Sequence, residues 1–325
     1  GQVSTATLQG WRDPEPQDGE RWLTLRFLLA DDEPWAAAGH EIGWDQVPLG
    51  DGPVADRSVA AGGDQLQLDA DGRLVHPLLA TPPALWLWRA GTDNDRASGL
   101  TERWARQGLP DPTPGPATIV REGTVVRVTR DVGFGSSVVA HRQVLTPLPG
   151  GGVHVAEEAD LPAELDDLPR VGTFLELPPG LVEAEWFGLG PHECYPDRKR
   201  SGLVGRWRSA IDDLFVPYLR PQEAGGRSDV RWIELVDGAG DGVRLRMARP
   251  LQVSANRFRA TDLDAATHLD ELAPRPETIV HLDAAHRGVG TAACGPDTIE
   301  AYLLRPGTYR WAWSMQPLRA GEVDG

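Results

Sequence analysis

Polar and aromatic side chains that could do chemistry are concentrated between Gly188 and Trp232, among glycines and prolines that fix the backbone. Carboxylates and guanidinium groups bond sugar hydroxyls, and aromatic rings stack on the apolar faces of a pyranose. We therefore interpret the stretch as a catalytic site, a sugar-binding surface or a rigid structural element. Its polar and aromatic members are His192, Glu193, Tyr195, Asp197, Arg198, Tyr218, Gln222, Glu223, Arg227 and Asp229.

Two glutamates of this stretch, Glu193 and Glu223, are of the type that forms the acid/base pair of glycosidases. The alternative is that they form structural ion pairs with Arg198 and Arg227. Both interpretations stay open, because the sequence does not give the distance between the carboxylates. His192 lies in a turn-like segment and is either a proton shuttle or an ordinary surface or cleft histidine.

Metal and nucleotide sites have no clear signature in the chain. His268, His281 and His286 lie on strand-like segments without the spacing of zinc ligands. Nucleophile-elbow, zinc-protease and phosphate-loop motifs do not occur. We predict no cofactor in this chain, although loop carbonyls can hold sodium or calcium with little trace in the side chains.

A second polar cluster, TDNDR at Thr92–Arg96, follows the aromatic run LWLWRAG. Aspartate and asparagine favour tight turns because their side chains bond to nearby backbone groups. The cluster is either a rigid turn or a loop at the rim of a cleft. Most of the 12 tryptophans are expected in the core, and one or two as platforms for a sugar ring.

Alternation of apolar and polar residues marks the elements that must position these side chains. A period of two is typical of strands with one buried face, and Gly/Pro turn signals separate the segments. The best helix candidate is Leu100–Gly108, which ends at a glycine C-cap. An all-β fold is predicted, an antiparallel sandwich or barrel. The strand candidates are Trp22–Leu29, Thr124–Thr129, Ser137–Leu145, Val153–Ala159, Val243–Met247 and Tyr309–Met315.

Composition limits the partners and the compartment. The 325 residues carry a net charge of −16 and no basic stretch, which argues against nucleic acid as a partner. No apolar run is long enough to span a membrane. Two cysteines, Cys194 and Cys294, allow one disulfide at most and favour a reducing, cytoplasmic compartment.

A Pro/Gly/Asp-rich segment near residues 48–62 indicates a domain boundary. The segment before it holds two or three strands, too few for an independent core. We predict a partial domain at residues 1–50, a linker at 51–62 and a large β domain at 63–320.

Six distinctive motifs occur in order along the chain. They are WRAGTDND at Trp88–Asp95, LPRVG at Leu168–Gly172, WFGLGPHECYPDR at Trp186–Arg198, PYLRPQEAGGRSDVRW at Pro217–Trp232, HLDAAHRGVGTAACGPD at His281–Asp297 and LRPGTYRWAW at Leu304–Trp313. Together they resemble the C-terminal region of the large bacterial β-galactosidases of glycoside hydrolase family 2. A front segment, Trp22–Leu49, also resembles the end of the immunoglobulin-like domain that precedes this region.

The resemblance implies a large antiparallel β-supersandwich of galactose mutarotase-like type, preceded by a partial immunoglobulin-like β segment. It also implies that the catalytic glutamates and the magnesium ligands lie in an upstream TIM barrel. This chain has no βα alternation and hence no such barrel. Magnesium and sodium are therefore expected for the full-length enzyme. A galactoside is expected to bind only together with that barrel, which upstream domains or a large subunit would supply.

The resemblance also assigns one loop to the wall of the substrate site. The loop follows His286–Gly290, and Cys294 or Gly295 falls where family members usually carry a tryptophan. A cysteine gives a smaller wall and weaker stacking. Positions that match sodium-holding carbonyls are Arg220, Pro221 and Leu263. Candidates for the cleft are Asp93, Asn94, Asp95, Arg170, His192, Glu193, Tyr195, Arg198, Tyr218 and Glu223.

The leading hypothesis is the C-terminal portion of a β-galactosidase that completes the active-site wall, supports assembly and is inactive alone. One alternative is a stand-alone aldose epimerase of mutarotase type, in which a cleft histidine and glutamate open and close a pyranose. The other is a non-catalytic carbohydrate-binding or assembly module, in which the polar motifs only lock turns.

Overall fold

The computed structural model describes residue 10 and residues 19–50, 61–290 and 295–321. The chain divides into two compact units, residues 1–54 and 55–325. Residues 51–60, most of the predicted linker, lie outside the described residues. Within the described ranges, no helix has the length and apolar character needed to cross a membrane.

The first unit contains an antiparallel hairpin of two strands, β1 (Arg21–Leu28) and β2 (Glu41–Leu49). Large apolar side chains on it, among them Phe27, Trp35 and Ile42, are more than half exposed. Since two strands cannot bury both of their faces, the hairpin as described has no core of its own.

The second unit is built mainly from strands. A small hairpin, β3 with β4, is separate from a sheet that joins the other twelve strands of the described residues. The strands are β3 (Gln67–Leu68), β4 (Leu74–Val75), β5 (Thr81–Trp86), β6 (Thr113–Glu122), β7 (Val125–Phe134), β8 (Ser137–Leu148), β9 (Gly152–Leu161), β10 (Arg170–Leu177), β11 (Glu183–Gly190), β12 (Leu203–Ala210), β13 (Arg227–Val236), β14 (Gly242–Asn256), β15 (Thr278–His286) and β16 (Gly307–Leu318).

The large sheet branches at its longest strand, β14. The start of β14 pairs with β16, and one arm continues from there through β9, β8 and β7 to β6. The end of β14 pairs with β15, and a second arm runs through β10 to β5. On the remaining side β13, β11 and β12 follow in order. All pairings are antiparallel, so the predicted all-β supersandwich is confirmed.

The core lies on the inner face of this curled sheet, as β7 illustrates. Val126, Val128 and Val132 are buried, and Arg127, between two of them, is exposed. This is the alternation expected of a strand with one buried face. The largest buried side chains are three tryptophans, Trp104, Trp186 and Trp313, so these three meet the expectation for the core.

Helices are few and short: α1 (Asp93–Ala97), α2 (Leu100–Arg106) and α3 (Ala260–Ala265). The helix predicted at Leu100–Gly108 is confirmed as α2. Gly108 follows it with a φ of +71°, a left-handed conformation that favours glycine after a helix. The predicted turn at Thr92 is the start of α1.

Candidate functional site

A cleft of about 390 Å³ brings together four segments that are distant in the sequence. These segments follow β5, follow β11, precede β13 and follow β15. We call it the first cleft. Its lining residues are Thr92, Asp93, Asn94, Tyr195, Asp197, Arg198, Tyr218, Gln222, Glu223, Val289 and Gly290.

A buried ion pair fixes the segment that carries Asp93 and Asn94. Arg89 and Asp95 are both fully buried and share three hydrogen bonds of 2.9–3.2 Å. Asp95 also accepts from the backbone N–H of Thr92 at 2.9 Å, which closes a capping box at the start of α1. Asp95 therefore positions the cleft rim from behind and does not line it.

Asp197 holds the chain where it leaves β15. Its two carboxylate oxygens accept from the backbone N–H groups of Val289 at 3.1 Å and Gly290 at 2.9 Å. Asn94 donates to the carbonyl of Val289 at 2.9 Å. A Cβ atom on Gly288 would lie 2.8 Å from the Asp197 carboxylate, so glycine allows this close approach.

The predicted wall loop begins at this point. Gly295 is exposed and does not line the cleft. Cys294, the position that most concerns the wall, lies outside the described residues, as do residues 291–293.

Glu223 lies at the floor of the first cleft and belongs to a buried polar cluster. Arg170, 1% exposed, donates to Glu223 at 2.9 Å and pairs with Asp283 at 3.3 Å. The hydroxyl of Tyr195 donates to Glu223 at 3.4 Å. Burial raises the pKa of Tyr195 well above its usual value, so its phenol stays protonated. Burial also raises the pKa of Asp283 to about 7, against the opposing effect of Arg170.

His286 lies beneath the first cleft and has no exposed side-chain surface. Its Nδ1 is 2.7 Å from the carbonyl of Arg287, and its Nε2 is 3.9 Å from Glu223. Burial, reinforced by Arg89 and Arg170, lowers the pKa of His286 well below its usual value. The imidazole is therefore neutral and closed to a sugar in the cleft.

Glu193 stands behind the rim and is 6% exposed. It accepts from Arg198, from the hydroxyl of Tyr218 and from the backbone N–H of Gly225 at 2.8 Å. Arg198 and Tyr218 line the cleft, and Glu193 holds both in place. For Glu193 the contacts thus favour the ion-pair interpretation.

The arginine partner of Glu223 differs from the expected one. Glu223 pairs with Arg170, while Arg227 donates to the carbonyl of Gly225 at 2.8 Å and stacks over Trp186 at 5.2 Å. Arg170 belongs to the motif LPRVG, but the sequence separation between Arg170 and Glu223 does not indicate that the two residues pair.

Of the ten cleft candidates, six line the first cleft: Asp93, Asn94, Tyr195, Arg198, Tyr218 and Glu223. Three stand directly behind it, namely Asp95, Arg170 and Glu193. His192 is not brought there, because it is exposed and bonds Ser201 at 2.8 Å.

Sequence reasoning did not single out Arg89 or the clamp role of Asp197. It also missed Gln222 as the acceptor for the backbone N–H of Asp93, at 2.8 Å. The only available signal was the presence of Arg89 and Asp197 in family-like motifs.

The sodium candidate Pro221 has a guanidinium beside its carbonyl. The carbonyl of Pro221 accepts from Arg96 at 3.4 Å, and Arg96 also pairs with Asp264 at 3.7 Å. A guanidinium beside this carbonyl repels another cation. Leu263 is buried and Arg220 is exposed. Across the ranges that the structure describes, no three or more His, Cys, Asp or Glu side chains are grouped for a metal.

Two family models match the chain, one for each region. Residues 62–315 match the model "Beta galactosidase small chain", and residues 3–50 match "Beta-galactosidase, domain 4". The chain therefore belongs to the beta-galactosidase small chain family.

Similar proteins include beta-galactosidases from several bacteria. The chain is 31% identical to one from Arthrobacter sp. strain B7 over 89% of its own length and 32% of that protein. It is 26% identical to one from Priestia megaterium over 86% of its length and 29% of that protein. The identity is 35% to one from Lactobacillus delbrueckii subsp. bulgaricus, over 64% of this chain and 21% of that protein. The chain thus spans about a third or less of the length of these curated relatives.

Solved structures that match the chain include a putative aldose 1-epimerase from Escherichia coli K12. It has a TM-score of 0.34 and 12% identity, covering 63% of this chain and 69% of that chain. A GH36 alpha-galactosidase from Geobacillus stearothermophilus has a TM-score of 0.33 and 10% identity, covering 79% and 29%. These scores are low, and the fold rests on the strand order described above.

Proposed function

We propose that the first cleft is one wall of a β-galactoside site whose catalytic carboxylates come from another part of the parent β-galactosidase. The observation that carries this proposal is the Asp197 clamp on Val289 and Gly290. The clamp fixes the backbone at the rim of the cleft, where the predicted wall loop begins. Family membership supports the galactoside as substrate, and the chain's share of its relatives' length supports a partner region.

The wall offers groups that suit a sugar. Asp93, Asn94 and Arg198 present a carboxylate, an amide and a guanidinium at the rim, which can bond hydroxyls. Tyr218 is the one half-buried aromatic ring of the lining and can stack on a pyranose face. Because Glu193 orients both Arg198 and Tyr218, the wall is largely pre-formed.

Hydrolysis by this chain alone is not expected. A glycosidase needs two carboxylates that are free to act on the glycosidic bond. Glu193 already accepts hydrogen bonds from an arginine, a tyrosine hydroxyl and a backbone N–H. Glu223 accepts from Arg170 and Tyr195. Both glutamates serve as framework of the wall in this proposal.

The test combines the chain with the upstream portion of its parent enzyme. The purified chain should not hydrolyse a chromogenic β-galactoside, and the combination should. Asp197→Ala should lower kcat/KM of the combined enzyme on the order of 10- to 100-fold, because a small displacement of a substrate wall is enough for such losses. Asp229→Ala is the matched control, since Asp229 pairs with Lys199 at 2.8 Å and does not line the cleft.

Two results would contradict the proposal. One is hydrolysis by the chain alone that disappears in Glu193→Gln or Glu223→Gln. The other is an Asp197→Ala enzyme as active as the Asp229→Ala enzyme. Polarimetry of fresh α-galactose tests the epimerase alternative, for which no rate above buffer is expected because His286 is inaccessible. Calorimetry of the isolated chain with galactose and lactose tests the binding-module alternative.

A further inference from the structure

A second, larger cleft of about 530 Å³ lies between the two arms of the branched sheet. It shares no lining residue with the first cleft. Strands β5 and β10 form one side, and β6, β7 and β8 form the other. We call it the second cleft. Its lining residues are Arg73, Thr81, Pro82, Pro83, Ala84, Leu85, Trp86, Pro112, Pro114, Arg130, Val132, His141, Gln143, Phe174, Glu176, Arg259, Ala260 and Thr261.

One wall of the second cleft is aromatic. Trp86 and Phe174 are half-buried, and their ring centroids are 5.3 Å apart at 34°. The register of β5 and β10 sets Phe174 opposite Ala84, so Trp86, two residues along, shares a face with Phe174. The indole N–H of Trp86 is buried and has no hydrogen-bond partner among the described residues. The flat faces of the two rings suit one face of a pyranose.

Polar side chains interrupt the apolar inner face on the other side. On β7, Arg130 interrupts the buried row of Val126, Val128 and Val132. His141 on the neighbouring strand β8 lies opposite Arg130. Burying a polar group in a core is unfavourable unless the group has a hydrogen-bond partner. His141 is held by Glu157 at 2.9 Å, as is Gln143 at 3.0 Å. Within the described part of the chain, the guanidinium of Arg130 bonds only the carbonyl of Gly72, at 3.0 Å.

Two arginines of the second cleft have no carboxylate partner. Neither Arg73 nor Arg130 forms an ion pair among the described residues, although Asp69 and Asp71 attract Arg130 from farther away. Burial and the charge of Arg73 lower the pKa of Arg130, so its positive charge is unfavourable where it stands. An anion near both guanidinium groups would relieve this cost.

The third arginine is different. Arg259 donates to both carboxylate oxygens of Glu176, and that pair is neutral. The charged lining residues without an ion pair are therefore both positive, in a chain whose net charge is −16. Two guanidinium groups without a carboxylate favour a ligand that carries a negative group.

We propose that the second cleft binds a pyranose that carries one anionic group, a phosphate or a carboxylate. The sugar ring stacks on Trp86 and Phe174, and its hydroxyls are within reach of Gln143 and Thr261. The anionic group lies between Arg73 and Arg130. This site is independent of the galactoside wall proposed for the first cleft.

Titration calorimetry of the full chain with galactose 6-phosphate and with galacturonate tests the proposal, and it separates a phosphate source from a carboxylate source. Binding of at least one of the two is expected. Arg73→Gln and Arg130→Gln should each weaken binding at least about tenfold, because each removes a charge-assisted hydrogen bond to the anionic group. Arg127→Gln should leave binding unchanged, because Arg127 is on the outer face of β7, three residues from Arg130. Trp86→Leu should also weaken binding, and galactose without the anionic group should bind at least about tenfold more weakly.

If Arg130→Gln does not fold, Arg73→Gln still tests the proposal. Arg73 is only half-buried, on the short hairpin β3–β4, so its replacement should not prevent folding. The proposal is overturned if neither probe binds at millimolar concentration. It is also overturned if inorganic phosphate binds as tightly as galactose 6-phosphate, or if Arg127→Gln weakens binding as much as Arg130→Gln.

Discussion

The two clefts of the second unit differ in how their charges are balanced. Beneath the first cleft, Arg89 is matched by Asp95, and Arg170 by Glu223 and Asp283. In the second cleft, Arg73 and Arg130 have no such carboxylate among the described residues. The aromatic residues that line the first cleft are the tyrosines Tyr195 and Tyr218, and the second cleft has a wall of Trp86 and Phe174.

This difference separates framework from binding surface. Buried charges that lie next to an opposite charge make a site rigid, since any rearrangement would leave one of them unpaired. Charges without partners are destabilising in the free protein, and a ligand can supply what is missing. We therefore expect the same kind of substitution, an arginine to an apolar residue, to destabilise the protein much more at the first cleft than at the second.

The largest effect is expected at Arg89. Arg89→Met should lower the free energy of unfolding by about 3–5 kcal/mol, because it leaves the buried carboxylate of Asp95 without its partner. Urea denaturation followed by tryptophan fluorescence measures this change. The double variant Arg89→Met with Asp95→Leu should recover a large part of the loss. A double variant as unstable as the single one would contradict the role given to the pair.

A pH-dependent effect is expected at Asp283. Its pKa of about 7 in the folded protein exceeds the ordinary value of about 3.9 in the unfolded chain. The folded state therefore holds the extra proton, and the resulting stability is complete below about pH 4 and lost as pH rises through 7. Relative to Asp283→Asn, the wild type should lose up to about 1.4 kcal/mol of unfolding free energy per pH unit in this window.

Urea denaturation of both proteins at intervals between about pH 4 and 8 provides the measurement. The groups that face Asp283 are Arg170, Glu223 and Arg89, and they are unchanged in the variant. A difference between the two proteins that does not vary with pH would contradict the shifted pKa.

A smaller effect is expected at Arg130, and it tests the comparison most directly. Arg130→Met should change the free energy of unfolding by no more than about 1.5 kcal/mol, the value of the one hydrogen bond to Gly72. Removing an unpaired buried charge offsets that loss. A loss of unfolding free energy as large as that of Arg89→Met would mean that Arg130, like Arg89, serves to stabilise the fold.

The smallest effect is expected on the outer face of the sheet. Arg142 on β8 bonds Glu158 at 2.7 Å and Asp160 at 2.5 Å, and its side chain is 45% exposed. Exposed ion pairs contribute little, so Arg142→Ala should leave the urea midpoint unchanged within error. A measurable shift would show that outer-face charges matter here as much as inner ones.

Local alternation was enough to predict much of the fold. The candidates Ser137–Leu145 and Val153–Ala159 lie within β8 and β9, and Leu100–Gly108 contains α2. These segments obey one period throughout, so propensity and burial agree. Branching at β14 was not predictable, since its 15 residues carry no sign that different halves pair with different strands.

The candidate sites were predictable to different degrees. Asp93, Tyr218 and Glu223 belong to motifs dense in polar residues, which identified them as cleft candidates before their neighbours were known. The second cleft has no motif at all. Its Arg130 and Phe174 are single residues on separate strands, and only the curl of the sheet brings them together. A polar residue at an inward position of an alternating strand was the one available signal.

The Asp197 clamp has a consequence for variation among related chains. Because the carboxylate bonds two consecutive backbone N–H groups, it anchors the chain without regard to the side chains that follow. The segment beyond Gly290 can therefore change in composition or length from one protein to the next while its starting point stays in register with the cleft. Such a position is where selection, or a protein engineer, can alter the rim of the first cleft without changing the sheet.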